Sequence, residues 1–236
     1  MPVILEDYKI AFFNVPKAAS TSIKHAFHVL IHGKPFEPGD FGARHIHQLY
    51  KVKVPVSRED IEGLSDYWTF TVLRDPAKRI LSAYTNRVVH HRDLHSVPRA
   101  RLRAAIRGLP LNPSIDVFLR RIQGYRDFST SIRSHTDHVS TFVGPDLSLL
   151  DAVYRTEDLP RLAADLSARI GRTVHIPHLQ TGGPKIAPND LSPASLGRLL
   201  DYTADEYSFL RGLFAPPSHT TAHGDRAERS RPRTVS

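Results

Sequence analysis

Lys9-Ile-Ala-Phe-Phe-Asn-Val-Pro-Lys-Ala-Ala-Ser-Thr-Ser-Ile-Lys24 decides how this chain is built. Ile10 to Val15 is short and almost wholly apolar, the pattern of a strand buried on both faces. Pro16 has no N–H to give to a ladder and ends it. Ser20, Thr21 and Ser22 are N-cap residue types, and Ile23, Ala26, Phe27, Leu30 and Ile31 then recur at helical spacing. A buried strand therefore turns sharply into an amphipathic helix, with Lys17 and three hydroxyls in the turn. Such a turn aims free backbone N–H groups and the positive end of a helix at one spot, which suits a phosphate or sulfate. It differs from the nucleotide loop Gly-x-x-x-x-Gly-Lys-Ser/Thr, because the glycines are missing and the lysine precedes the hydroxyls.

A second stretch repeats this logic. Asp66-Tyr-Trp-Thr-Phe-Thr-Val-Leu73 is aromatic and β-branched, hence a strand, and runs into Arg74-Asp75-Pro76, where Asp75 is placed to cap a helix and Pro76 to occupy its first position. That helix is expected to bury Ile80, Leu81, Tyr84 and Val88. Arg74 stands at the carboxyl end of the strand, where ligands of open α/β sheets bind. Ser82 follows about two turns into the helix, so an arginine fork plus a hydroxyl can hold a second phosphate beside the first.

Working outward, Gly33 to Gly39 breaks regular structure with two prolines and two glycines. Ser57-Arg-Glu-Asp60 offers a capping box with aspartate in place of glutamate. His90 to Thr130 reads as helical and basic, broken at Pro98, Gly108, Pro110 and Pro113. Asp151 to Arg155 is expected to be a strand, Glu157 to Ile170 a helix closed by Gly171, and Thr173 to Ile176 a short strand. A polar loop from Gln180 to Lys185 leads to a last helical pair over Ser192 to Phe214. Strands alternating with helices give an α/β fold, three layers about a central parallel sheet.

The chain has 236 residues and 40% hydrophobic content, enough for one sizeable core. Lys and Arg number 32 against 24 acids, a net +8, which suits an anionic partner without choosing among nucleotide, acidic glycan, nucleic acid and membrane surface. There is no cysteine, so disulfides and thiolate zinc sites are excluded. No run of 18 apolar residues and no basic-then-apolar leader is present, and the expectation is a soluble, cytoplasmic protein without a transmembrane anchor.

With both motifs on the page, the chain resembles a known family. Val15-Pro-Lys-Ala-Ala-Ser-Thr-Ser22 resembles the 5′-phosphosulfate loop of sulfotransferases, and Arg74-Asp-Pro-x-x-Arg-x-x-Ser82-Ala-Tyr their 3′-phosphate motif. The branch it looks most like is the carbohydrate-type family of the Golgi 2-O-sulfotransferases and their soluble bacterial relatives. Further echoes are Tyr154-Arg-Thr-Glu-Asp-Leu159, Ile176-Pro-His-Leu179 and Asp201-Tyr-x-x-Asp-Glu-Tyr207. The resemblance spans roughly Lys9 to Phe214 and implies a sulfotransferase domain over residues 1–214; from Ala215 on, proline, serine and arginine without an apolar period read as a disordered basic tail over 215–236. The resemblance also implies a P-loop-like strand–loop–helix and the donor PAPS (3′-phosphoadenosine 5′-phosphosulfate), with no metal. By the same resemblance Pro16, Lys17, Ala18, Ala19, Ser20, Thr21 and Ser22 would cradle the 5′-phosphosulfate, and Lys17 would neutralise charge on the leaving oxygen. Arg74 and Ser82 would hold the 3′-phosphate.

The acceptor, a small molecule or glycan with a hydroxyl, needs a base, and histidine suits that near neutral pH. His45-Ile-His47-Gln-Leu49 resembles the His-x-His segment that supplies the family's base, with His45 the better match by spacing and His47 the second. His28 and His32 stand at i, i+4, and His90, His91 and His95 cluster, but neither group has a carboxylate in His-Glu-x-x-His spacing. His25, His28 and His32 fall opposite the apolar stripe of the first helix, and all are expected to be solvated. The stretch Ser134-His-Thr-Asp-His-Val-Ser-Thr141 departs from the family's His-Trp-x-Pro-Gln-like segment on the acceptor side. Two other classes stay open: a kinase using the same loop, and a polyanion or nucleic-acid binder built on Arg99, Arg101, Arg103, Arg107, Arg120, Arg121 and Arg126. The first lacks the glycines and an obvious strand-end aspartate, and no stable nucleic-acid complex is expected.

Overall fold

The computed structural model describes residues 2–179 and 183–217. Strand β1 (Val3–Leu5) turns through a short 3-10 segment and a left-handed Lys9 into β2 (Ile10–Phe13). Helices α1 (Ser20–His32), α2 (Ile46–Leu49) and α3 (Arg58–Glu62) lead to β3 (Trp68–Leu73). Then come α4 (Pro76–Ala83), α5 (Ala100–Arg107), α6 (Ile115–Arg120), α7 (Ile122–Phe128), α8 (Thr130–Thr136) and α9 (Ser140–Val143). Strand β4 (Ala152–Arg155), α10 (Leu159–Ile170) and α11 (Pro193–Phe209) complete the order.

The sheet runs β1-β2-β3-β4. β2, β3 and β4 are parallel, in the registers Ile10↔Trp68 to Phe13↔Thr71 and Phe70↔Ala152 to Leu73↔Arg155. β1 is antiparallel to β2, so the expected parallel sheet is a mixed one with an antiparallel edge. Three apolar residues are enough for that edge because their partners in β2 are already buried by neighbours. Side chains alternate between the two faces. Phe12, Phe70, Val72 and Tyr154 pack under Ile23 and Phe27 of α1 and Leu162 and Leu166 of α10. Phe12 and Phe70 stack with centroids 5.1 Å apart, and Phe27 meets Phe12 edge-on at 6.1 Å. Ala11, Phe13 and Leu73 face the other way, against Ile61 of α3, Phe142 and Val143 of α9, and Leu210 after α11. Helices on both faces of the sheet give the three layers. α4 to α8 and α11 bury a separate helical core around Ile80, Tyr84, Phe118 and Tyr125.

The caps follow the sequence. The Ser57 hydroxyl accepts from Asp60 N and the Asp60 carboxylate from Ser57 N, closing the expected capping box. Asp75 Oδ1 accepts from Lys78 N at 2.9 Å with Pro76 in the first turn. After Ala83 the helix widens into a π turn over Tyr84–His90.

Four expectations are corrected. Thr173 to Ile176 is not a strand: Val174 N donates to Ser167 Oγ at 2.8 Å and its side chain packs with α10, so among the described residues no ladder forms beyond β4. The helical pair over Ser192 to Phe214 is one helix of 17 residues, α11, capped by Ser192, and ends in a turn. Ile31 lies off the apolar stripe and is exposed. His28, expected in solvent, is fully buried, because Phe36, Phe41 and Tyr50 fold back over α1 and enclose it. Of the expected tail, 218–236 lie outside the described residues, as do 180–182 of the polar loop.

Candidate active site

The first loop is strained where it matters. Lys17 has φ 67° and Ala19 φ 57°, left-handed conformations that cost a residue with a side chain about 1–2 kcal/mol. Two such residues within three positions coil the backbone so that successive N–H groups converge, and strain of this kind gathers at ligand sites. Ala19, not a hydroxyl residue, is the N-cap of α1, and no side chain caps the helix. The expectation that Ser20, Thr21 or Ser22 would cap it is therefore corrected. All three lie inside the first turn, and its N–H groups, which have no intrahelical partner, are left for a ligand. Ser20 and Ser22 are buried, and Ser22 Oγ accepts from Leu179 N at 3.3 Å, while Lys17 and Thr21 keep one side open. Asn14, buried at the end of β2, has no hydrogen bond to its Oδ1 among the described residues.

The parallel pairing of β2 with β3 brings the second motif alongside. Arg74 Nη1 donates to the Lys17 carbonyl at 3.3 Å, joining two motifs that are 57 residues apart. Burial lowers the Arg74 guanidinium from its ordinary pKa, and among the described residues it forms no ion pair. The motif is clamped from behind by α11. Tyr207 Oη donates to Asp75 Oδ2 at 2.9 Å, and Glu206 pairs with Arg79 through two hydrogen bonds of 3.0 and 2.6 Å. The Asp201-Tyr-x-x-Asp-Glu-Tyr207 echo thus has a physical role, fixing the start of the helix that follows Arg74 and carries Ser82. Ser82 is half-buried on α4, and among the described residues no hydrogen bond joins its hydroxyl to Arg74.

The π turn adds a cation that 3.6-residue spacing misplaces. Arg87 pairs with Asp93 at 2.7 Å, yet its charge still bears on Lys17. Burial first, then Arg87 and Arg74, lower Lys17 from 10.5 to about 8. Gly183 leans on the same turn at φ 115°: a Cβ there would stand 2.6 Å from the Thr85 carbonyl oxygen.

Of the two candidate bases, the structure brings His47 to the loop. Its Nε2 is 3.0 Å from Thr21 Oγ1 and its Nδ1 3.2 Å from Lys24 Nζ. His45 is exposed at the N-cap of α2, with ring centroids 6.2 Å from His47. Burial, then the charges of Lys24, His45, His135 and His25, lower His47 to about 3. His47 is itself exposed to solvent, which softens the desolvation, but the direction leaves a neutral imidazole at physiological pH. His135, on α8, is held the same way: burial lowers it to about 4, and its Nδ1–H donates to the Ser131 carbonyl at 2.8 Å, with no hydrogen bond to Nε2 among the described residues. His138 is tied to Ser140 at 2.8 Å.

Lys17, Lys24, Arg74, His47 and His135 are all pushed away from positive charge: desolvation leads in each, and neighbouring cations add to it for Lys17, His47 and His135. An anion beside Lys17 and Arg74 relieves the repulsion that Arg87 and Arg74 exert on Lys17, the electrostatic signature of an anion site, with Lys24, His47 and His135 alongside it. Among the described residues no three His, Asp or Glu side chains are grouped to hold a metal ion, and no helix is long and apolar enough to cross a membrane. Sequence reasoning missed Lys24 and Arg87. The signal for Lys24 was present: a lysine between Ile23 and Phe27, three residues after Thr21, falls on a buried face. A family model described as "Sulfotransferase family" matches residues 2–190. No curated protein and no solved structure matches the chain.

Proposed function

Because the chain belongs to the sulfotransferase family, and so transfers sulfuryl groups, we propose that its donor is PAPS and its acceptor a hydroxyl, most suitably of a carbohydrate. The observation that carries the donor reading is the Arg74–Lys17 contact, which fuses two anion-holding turns into one site. A nucleotide with phosphates at both 5′ and 3′ positions needs two such turns, and ATP needs one. The residues fit the donor: uncapped N–H groups and Lys17 for the phosphosulfate, and Arg74 with Ser82 on a clamped helix for the 3′-phosphate.

PAPS would supply an activated sulfuryl group, which passes to the acceptor oxygen while the 5′-phosphate leaves with the electron pair of the broken bond. Lys17 Nζ, without a hydrogen-bond partner among the described residues, neutralises the oxygen that gains that pair. His47 Nε2, turned to the loop at Thr21, takes the acceptor proton; it supersedes His45 as the first choice on this geometry. Positioning and fixed positive charge do most of this work, as in phosphoryl transfer. His135 offers a second reading of the base, favoured by its Nε2, to which no hydrogen bond runs among the described residues.

Incubation with sulfur-labelled PAPS and a panel of hydroxylated acceptors tests the proposal. The expected result is label on a carbohydrate hydroxyl, absent with Lys17→Ala. Transfer of phosphate from labelled ATP in its place would overturn it in favour of a kinase, and tight DNA binding without transfer in favour of a polyanion binder.

A further inference from the structure

Lys24 is one of the largest fully buried side chains of the protein, 2% exposed, on a helix that otherwise turns Ile23 and Phe27 inward. A lysine is almost never buried without a partner. Its Nζ donates to the Tyr50 carbonyl at 2.8 Å and meets His47 Nδ1 at 3.2 Å, so it bridges α1 to the segment that carries both candidate bases. We propose that Lys24 is the positioning residue of His47: it holds the imidazole against Thr21 and, through its own protonation, decides which ring nitrogen presents a lone pair to the reacting hydroxyl. This rests on the reading of His47 as the base.

The hydrogen-bond chemistry is restrictive. An ammonium only donates, so while Lys24 is charged the His47 Nδ1 must accept, and the ring proton sits on Nε2, donated to Thr21 Oγ1. In that state the ring has no lone pair on the loop side. A neutral Lys24 amine accepts instead, the Nδ1–H turns to it, and the Nε2 lone pair faces the loop. When the acceptor hydroxyl loses its proton, the O–H bond breaks and a bond to Nε2 forms. The Nδ1 proton passes to Lys24 Nζ, so the imidazole ends neutral and the lysine charged.

Burial lowers Lys24 from 10.5 to about 8, within reach of such a role. The ionisable groups around the pair are mostly basic: His25 and His28 on α1, His45 beside α2 and His135 on α8, with His28 bonded to Tyr50 Oη at 3.2 Å. Asp40, paired with Lys34 at 2.7 Å, comes within 3.8 Å of His28 but forms no ion pair with Lys24 or His47 among the described residues. No carboxylate reaches Lys24 among the described residues, which leaves its charge uncompensated and the neutral form accessible.

Nitrogen-15 NMR of the His47 ring in the ligand-free protein reads the proposal without any reaction. The expected spectrum shows the Nε2–H tautomer below about pH 7 and a shift to the Nδ1–H tautomer as pH rises through about 8. In Lys24→Met, which keeps the buried stem, that transition disappears. The same variant is expected to bind PAP (3′-phosphoadenosine 5′-phosphate) within about 2-fold of wild type, to turn over roughly 100-fold more slowly, the lower range for a displaced base, and to lose the rise in rate near pH 8. A tautomer that does not change with pH in the wild type overturns the proposal, whether or not the variant folds. So does a variant with the wild-type pH–rate profile. Failure of the wild type to bind PAP would instead overturn the donor reading, which the tautomer measurement does not touch.

Discussion

Arg79 is completely buried, and its guanidinium is satisfied by four hydrogen bonds: two to Glu206, one to the His135 carbonyl at 3.3 Å and one to the Asp137 carbonyl at 2.8 Å. Hydrogen bonds to charged groups are worth about 1.5–3 kcal/mol each taken singly, but the pair also carries the cost of removing both ions from water. Arg79→Met leaves Glu206 charged, 4% exposed and alone, and the expected loss of stability is about 3–5 kcal/mol. Removing both charges in Arg79→Met/Glu206→Leu should restore at least about 1 kcal/mol of that loss, because the isolated carboxylate is gone. Urea unfolding of the wild type, both single variants and the double variant gives the coupling energy, with the denaturant slope checked for constancy. A single-variant loss below about 1 kcal/mol, or a double variant no better than the worse single, would refute the reasoning.

Two further outcomes follow from the electrostatics. Lys17 is lowered to about 8 in the free protein, and a bound anion favours its charged form, so PAP affinity should fall as pH rises through about 8. Calorimetry at about pH 8.5 in buffers of different ionisation heat should show proton uptake on binding, near zero at about pH 6.5; no uptake at the higher pH would remove Lys17 from the site. His47→Ala should keep PAP affinity and lose roughly 100- to 10,000-fold in rate, while His45→Ala changes it little. If His135→Ala is the dead enzyme and His47→Ala is not, the Nε2 of His135 marks the base.

The strand–turn–helix at Lys9 to Lys24 and the Asp75-Pro76 start of α4 were legible because local chemistry alone dictates them: an apolar run, a missing N–H, a cap. What local pattern cannot supply is which surface another segment will cover. His28 falls on the polar side of α1 by spacing, yet Phe36, Phe41 and Tyr50 close over it from a loop that no periodicity describes. Thr173 to Ile176 has strand composition, but a strand needs a partner, and Ser167 Oγ satisfies Val174 N first. Choosing His45 over His47 used spacing to Leu49, whereas contact with the loop depends on which side of α2 meets α1. Arg87 stayed hidden because the π turn rotates the helix face by an extra residue.

The central claim, that two strand–turn–helix units form one site for a donor phosphorylated at both ends of its ribose, is tested most directly by calorimetric titration of wild type and Arg74→Ala. The ligands are PAP and adenosine 5′-phosphosulfate, which lacks the 3′-phosphate. The account predicts that Arg74→Ala weakens PAP by roughly 1.5–3 kcal/mol, the range for a hydrogen bond to a charged group, and leaves adenosine 5′-phosphosulfate almost unchanged. Equal losses for the two ligands would contradict it and make Arg74 a brace for the Lys17 turn alone.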